Sequence, residues 1–196
     1  MNIATDIGGR WQRLRALTHD THDTLDRRIM GARAFESRER YGLFVLVQRA
    51  FHRDVDALYS NASLDALLPD LAGRRRLPLI EQDVDDLGLA PPADNGSPVF
   101  DVQADIPSAL GWLYVAEGSN LGAAFLLKEA ERLGLSETFG ARHLAPSPAG
   151  RGIHWRTFTA ALDAVELTAP EETRLVAGAE SAFRRVHDLV ERSLIA

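Results

Sequence analysis

The stretch from Leu110 to Lys128 reads LGWLYVAEGSNLGAAFLLK, and the interpretation of the whole chain depends on it. Nearly all of its residues are apolar, so it is predicted to be a buried helix. Gly118 and Gly122 lie near its middle, and each costs a helix about 1 kcal/mol relative to alanine. Such glycines are expected where another helix packs closely, or where something flat approaches the backbone without meeting a Cβ.

The composition is that of a globular protein, with 45% hydrophobic and 26% charged residues in 196. This length fits one domain covering residues 1–196. The absence of cysteine excludes disulfides, thiolate metal sites and cysteine nucleophiles. A net charge of −6 argues against general binding to nucleic acids. The N-terminal residues lack a signal-peptide core and every apolar run is too short to span a bilayer, so we expect a cytoplasmic protein without membrane insertion.

Hydrophobic spacing predicts helices throughout and no sheet, so the fold class is all-α, a single-domain helical bundle. The predicted helices run from about 8 to 31, from Ser37 to about Ser60, from Leu64 to Leu68, from Leu71 to Leu87 with a new segment at Pro78, from Asp105 through the central stretch, from Ile153 to Val165, and from Thr168 to about Leu194. Thr168 with Glu171 three residues later forms a capping box. Residues 91–98 and 140–152 are predicted loops because they are rich in glycine and proline.

Two histidines of the first helix, His19 and His22, are three residues apart and therefore neighbours on its surface. They form either a metal site, with Asp23 or Asp26 as further ligands, or an ordinary solvated face. Spacing alone favours the solvated face. A carboxylate-bridged di-iron site is excluded, because no histidine in the chain has a glutamate three residues before it.

Haem is the flat ligand that accounts for the glycines and for a single histidine ligand together. One neutral imidazole can hold haem iron without a second protein ligand, while a helix bearing glycines covers the opposite face. Gly118 and Gly122 lie on one helical face, as close backbone approach requires.

The chain resembles bacterial haem oxygenases of the kind found in haem-iron acquisition or beside bacterial phytochromes. Leu14 to Asp26 is similar to the proximal-helix pattern L-R-x-x-T-x-x-x-H-x-x-L-E of that family, with Asp26 in place of the glutamate. Gly111 to Ala123 is similar to the distal-helix pattern, and Phe139 to Leu144 is a weaker match. The resemblance covers about residues 10 to 192.

This resemblance implies a haem that is both cofactor and substrate, sandwiched between a proximal helix and a kinked distal helix. His22 is then the proximal iron ligand, and Gly118, Ser119 and Gly122 are the distal contacts. Ala123 replaces a second glycine seen in many members. The implied reaction opens the ring with O2, releasing biliverdin, carbon monoxide and ferrous iron. Electrons are expected from an external donor, ferredoxin or a flavin reductase, and the protein is expected to be a monomer.

The haem propionates require cations. Arg15 lies two turns before His22, and Lys128 is the chain's only lysine; Arg184 or Arg185 is a third option, and each could equally be a solvated surface charge. Three further residues are expected to line the pocket: Tyr114, Phe183 and Val186. Met30 stands where some relatives have a lysine that rotates the haem, so cleavage is expected at the α-meso carbon.

The proton for the reaction is expected through ordered water, as the resemblance implies. Arg76 and Asp101 are candidates to hold that water, although both could be ordinary surface charges. A non-catalytic haem carrier or sensor on the same fold is the alternative function. A thiaminase-like enzyme is excluded, since its reaction needs a cysteine nucleophile.

Overall fold

Seven α-helices make up most of the described part of the chain, residues 8–92, 96–101 and 103–195 of a computed structural model. In order they are α1 (Arg10–Gly31), α2 (Arg38–Val55), α3 (Ala62–Asp65), α4 (Leu77–Asp86), α5 (Ile106–Arg132), α6 (Arg151–Ala164) and α7 (Ala169–Val190). Short 3-10 turns occur at Asp56–Ser60, Ala72–Arg74 and Arg142–Leu144, and a π-helical turn at Glu191–Ile195 follows α7. Among these residues there is no strand, so the all-α class is confirmed. None of the described helices is both long and apolar enough to cross a membrane.

The three helix starts predicted from capping residues are confirmed by their capping bonds. The side chain of Ser37 accepts from the backbone N–H of Arg40 at 3.3 Å, and that of Asp105 accepts from Ser108 at 3.1 Å. The capping box at Thr168 is complete, with Glu171 accepting from the Thr168 N–H at 2.8 Å. These short polar side chains satisfy N–H groups that the first turn of a helix leaves without partners.

Three predicted helices differ from the structure in their extent. The short helix predicted from Leu64 to Leu68 lies at Ala62–Asp65 instead. The helix starting after Ser37 remains α-helical only to Val55 and continues as a 3-10 turn to Ser60. The predicted helix from Leu71 to Leu87 is wrong in its first part, which is a 3-10 turn. The restart at Pro78 is confirmed, because proline suits the first turn of α4. In the predicted loop at 91–98, residues 93–95 lie outside the described residues and the others are not helical.

Helix α5 lies at the centre of the molecule and packs most extensively against α7. Its helical structure continues through Gly118 and Gly122, so the expected kink does not interrupt the helix. The two helices cross where a glycine of each faces the other's backbone. A Cβ on Gly111 would lie 2.2 Å from the carbonyl oxygen of Leu175, and one on Gly178 would lie 2.3 Å from that of Ser108. These two glycines are therefore required by helix packing.

Replacing Gly111 with alanine is expected to destabilise the protein by about 3 kcal/mol, since the added methyl forces the two helices apart. Gly122→Ala in the same helix is the matched control, because a Cβ there meets nothing within 4 Å. The control should gain up to about 1 kcal/mol from helix propensity. Chemical denaturation of both ligand-free variants measures the difference. Equal stabilities would contradict the assigned packing role of Gly111.

Candidate functional site

We take the space between α1 and α5 as the candidate site and call it the cleft. Both helices pack against α6 and α7 but make little contact with each other. One face of α5, defined by its three- and four-residue spacing, carries Tyr114, Gly118, Leu121, Gly122 and Phe125. Tyr114 is buried next to α1, whereas Leu121 and Phe125 are 46% and 52% exposed. Large apolar side chains exposed on the same helix face as two glycines indicate a surface that a planar apolar ligand would cover.

The wall formed by α1 presents His22. Its side chain is 56% exposed, and its Nδ1 lies 3.3 Å from Oδ2 of Asp26. The other ring nitrogen, Nε2, is left free to bind a metal. A carboxylate on one imidazole nitrogen fixes which nitrogen faces the metal. The distance is slightly long for a hydrogen bond.

His19 does not add a second ligand to this wall. Its Nδ1 lies 3.6 Å from Oδ1 of Asp23, and its side chain is exposed. Throughout the described ranges, no three His, Asp or Glu side chains are grouped so that they could hold a metal ion. A site built from protein ligands alone is therefore not supported, whereas a metal brought in by a prosthetic group needs only one histidine.

On the α5 side of the cleft, a Cβ added at either central glycine would make no close contact. A Cβ on Gly118 would approach Trp155 no closer than 3.7 Å, and one on Gly122 would meet nothing within 4 Å. Unlike Gly111, these residues are not glycine because of helix packing. They leave bare backbone facing the cleft, which suits a flat ligand. Ser119 is exposed, and its Oγ donates to the carbonyl of Ala116 in its own helix at 2.7 Å.

Arg15 and Tyr114 are brought together at one end of the cleft. Burial raises the pKa of the Tyr114 hydroxyl, while a hydrogen bond with Thr18 and the charge of Arg15 partly offset this effect. Lys128 is exposed, and it forms no ion pair with any residue that the structure describes. Arg15 and Lys128 are thus both free to bind anionic groups of a ligand.

The residues of α7 that were expected at the site differ in burial and in side-chain partners. Phe183 is buried, with its ring edge-to-face to His22 at 6.1 Å between centroids. Val186 lies one turn later and is also buried. Arg184 is exposed and bonds Ser181 of its own helix, whereas Arg185 is paired with Asp54 at 2.7 Å. Phe183 therefore supports the His22 ring, and Arg185 is already bound elsewhere.

Behind α5 lies a buried polar cluster, of which only Arg76 was predicted from the sequence. Arg76 is 7% exposed and donates to the carbonyl of Ala145 at 3.1 Å, and burial lowers its pKa. Three buried side-chain nitrogens of this region have no hydrogen-bond partner among the described protein atoms: His52 Nδ1, His143 Nε2 and Asn120 Nδ2. Such atoms indicate sites for ordered water. Asp101, the other predicted residue, is exposed and accepts from Gln103 in a local turn.

A signal for the missed histidines was present in the sequence. His52 is seven residues after Val45 and so lies on the same buried face of α2. His143 belongs to the weakly matching segment 139–144, and its Nδ1 lies 2.7 Å from Oδ2 of the fully buried Asp83. Because the aspartate accepts this bond, the His143 nitrogen without a partner is the one that can accept from water.

A buried ion pair fixes α5 immediately before Gly118. Oε2 of Glu117 accepts from Nη1 of Arg74 at 3.0 Å, and its Oε1 accepts from the Tyr59 hydroxyl at 3.2 Å. Both charged side chains are at most 2% exposed. Burial raises the pKa of Glu117, and the neighbouring guanidinium of Arg74 opposes this effect. The sequence signal is a single carboxylate within an otherwise apolar run.

The buried His52 predicts a pH dependence of stability. Burial, with smaller contributions from His143 and Arg76, lowers its pKa from 6.5 to about 3. In this range the unfolded chain binds a proton that the folded protein excludes, so stability falls as the pH drops below 6.5. The free energy of unfolding should decrease by about 2 kcal/mol between pH 7 and pH 5 on account of His52. Denaturation at each pH measures this decrease.

The variant His52→Gln should lose this contribution and show a flatter pH profile. His19→Gln is the control, because that side chain is exposed and the replacement should leave the parent profile unchanged. A His52→Gln profile that matches the parent would show that the buried ring does not cause the pH dependence.

The fold and the arrangement of the two helices suit a class of protein: an all-α protein that takes a planar prosthetic group between a histidine-bearing helix and a glycine-bearing helix. Comparison with known proteins gives the family. A family model described as Heme oxygenase matches residues 99–192. Heme oxygenase PigA of Pseudomonas aeruginosa is 44% identical over 184 residues, which cover 94% of this chain and 92% of PigA.

A solved structure agrees with this assignment. The haem oxygenase of Neisseria meningitidis, determined in NO- and CO-bound forms, superposes with a TM-score of 0.88 at 41% identity. The match covers 95% of this chain and 92% of the Neisseria chain. The chain belongs to the haem oxygenase family and is a haem-degrading oxygenase.

Proposed function

We propose that the chain binds haem between α1 and α5 through His22 and cleaves it with O2 to biliverdin, carbon monoxide and ferrous iron. The observation that carries this proposal is the open face of α5. Gly118 and Gly122 have space where a Cβ would lie, and apolar residues beside them are exposed. The binding of NO and CO by the Neisseria relative supports the use of a small gas molecule at this site.

The side chains around the cleft have separate roles in this proposal. His22 would provide an imidazole nitrogen to the iron, and Asp26 lies 3.3 Å from the other ring nitrogen, Nδ1. Gly118 and Gly122 keep bulky groups away from the opposite side, and Ser119 is a further candidate contact there. Haem, when bound, supplies the redox chemistry and is itself the substrate. A neutral imidazole favours this outcome over the cleavage of O2 that a thiolate ligand promotes.

Cleavage at the α-meso carbon is the proposed regiochemistry. Arg15 and Tyr114 lie together at one end of the cleft, and Lys128 projects from α5 without an ion-pair partner among the described residues. These groups suit the carboxylates of the propionates. Met30 provides no charge at the position that would favour a rotated haem. The propionates are therefore proposed to face Arg15, Tyr114 and Lys128.

Proton delivery is proposed to use water held by Arg76, His52 and His143. The buried ring nitrogens without protein partners support this role, since a bound water needs two to four polar groups. The low pKa of His52, about 3, keeps its ring neutral at physiological pH and able to accept a hydrogen bond. Asp101, the other sequence candidate, bonds within its own turn, which does not favour it.

Several features of the proposal rest on the sequence and the resemblance alone. The electron donor is proposed to be ferredoxin or a flavin reductase. The chain is proposed to act as a monomer, as one domain covering residues 1–196, in the cytoplasm. Size-exclusion chromatography with light scattering measures the oligomeric state.

The decisive experiment follows the haem itself. The full chain is mixed with one equivalent of haem, then given ascorbate and catalase in air, and the Soret band is recorded. Loss of the band together with a biliverdin product supports the proposal, and chromatography of the product identifies the isomer. An intact haem with a stable Soret band in the presence of O2 and reductant would instead support a non-catalytic carrier or sensor.

A further inference from the structure

Arg151, the first residue of α6, bridges two parts of the chain that border the candidate site. Its Nη1 donates to the carbonyl oxygen of Asn120 in α5 at 3.0 Å. Its Nη2 donates to the carbonyl of Leu144 in the 3-10 turn at Arg142–Leu144. A planar guanidinium presents several donors in a fixed geometry, which lets one side chain join two backbone groups. Arg151 therefore connects the middle of α5 to the segment that carries His143.

The position of Arg151 is electrostatically unfavourable. A cation in the first turn of a helix opposes the helix dipole. Burial and repulsion from the nearby Arg76 lower the pKa of Arg151, and the carboxylate of Glu137 opposes this effect only in part. No carboxylate lies within ion-pair distance of its guanidinium in the part of the chain that the structure describes. The two bonds to carbonyl groups are what compensate for these costs.

The bond to Asn120 lies where α5 becomes more exposed, because Ala123 is its only buried residue between Asn120 and Ala130. Glu117, three residues earlier, is held by Arg74 and Tyr59. Beyond Asn120, the side chains of Leu121 and Phe125 are exposed. The Glu117 anchor is fully buried, whereas Arg151 is only half-buried, so loss of the Arg151 bond affects α5 without exposing a buried charge. Arg151 is thus placed where the buried first part of α5 passes into a more exposed segment.

We propose that Arg151 is a positioning residue that holds α5 at Asn120 and so sets where Gly118 and Gly122 lie above the cleft. Its effect on haem rests on the proposed function, whereas its effect on α5 does not. Without Arg151, the segment from Ser119 to Phe125 gains freedom to move away from the core. Haem held between this segment and α1 is then released more readily.

The experiment uses three variants of the full chain. Arg151→Met removes the donors but keeps the length of the side chain. Arg151→Lys keeps a charged donor group and should therefore show a smaller change from the parent than Arg151→Met does. Arg156→Met changes an exposed arginine of the same helix whose guanidinium forms no hydrogen bond or ion pair among the described residues, and it is the matched control. Hydrogen exchange is measured on ligand-free protein, and haem release is measured by transfer to excess apomyoglobin.

In Arg151→Met the amides around 119–125 should exchange about tenfold faster, as the loss of a charge-assisted hydrogen bond implies. Amides of α2 and α7 should be unaffected, and haem release should accelerate by a similar factor. Unchanged exchange in α5, or equal acceleration in Arg156→Met, would overturn the proposal. If Arg151→Met does not fold, Arg151→Lys decides by the same exchange measurement. If the parent binds no haem, the proposed function fails while the exchange result still decides the role of Arg151.

Discussion

Replacing His22 with alanine is expected to lower the rate of haem degradation more than a hundredfold. Even partners one step removed from a metal change affinity or activity about 10- to 100-fold, so the proposed ligand itself should exceed that range. The apolar face of α5 would remain, so weak haem binding is expected to persist. The measurements are the Soret spectrum of the haem complex and the rate at which the band disappears with reductant.

His19→Ala is the control for this experiment. His19 lies one turn before His22 on the same helix and is similarly exposed. It should retain the parent spectrum and rate. Added imidazole should restore part of the activity of His22→Ala by occupying the vacated space, an effect that a purely structural role would not produce. A His22→Ala protein with the parent's spectrum and rate would rule out His22 as the ligand.

The variant Arg74→Ala is expected to lose about 3–5 kcal/mol of folding free energy, because it leaves the carboxylate of Glu117 buried without its partner. Arg74 is 2% exposed and also donates to the carbonyl oxygens of Pro69 and His154. Its guanidinium lies 5.6 Å from the centre of the Phe158 ring. Chemical denaturation at pH 7 measures the loss.

The adjacent Arg75 provides the matched control. Its side chain is 46% exposed and pairs with Asp56 at 2.6 Å, so Arg75→Ala should cost about 1 kcal/mol or less. A pH series adds a specific signature. Without Arg74 the pKa of Glu117 rises further, so the folded protein binds a proton that the unfolded chain does not, and the deficit should shrink as the pH falls. Equal losses in the two variants would contradict the dominant role of the buried pair.

Helix starts could be read from the sequence because their cause is local. Ser37, Asp105 and Thr168 each bond an N–H group within three residues, so the residue types at that spacing suffice. The end of α2 and the break near Arg75 could not be read in this way. Those features depend on a side chain reaching elements distant in sequence, as Arg74 does when it turns inward to Glu117.

Residues of the candidate site could be predicted from the sequence only where the motif that marks them lies within one helix. His22 is recognisable from its own helix, and Gly118 and Gly122 from theirs. His52 and His143 could not be placed together, because they lie 91 positions apart and meet only through packing around Arg76. Arg151 was also missed, since a single arginine at the start of a helix carries no signal until its partners are known.

The sequence by itself determined the all-α class, the helix starts that have a capping side chain, and the family. It also raised the question of why a buried helix carries glycines. Only the tertiary structure separated their causes, because close approach is a property of two elements and not of one. A Cβ on Gly111 would collide with the backbone of α7, whereas one on Gly118 would only touch Trp155 and one on Gly122 would meet nothing within 4 Å. Glycine therefore serves helix packing at one position of α5 and the proposed haem site at two others. The element that lies next to each glycine decides which role it has.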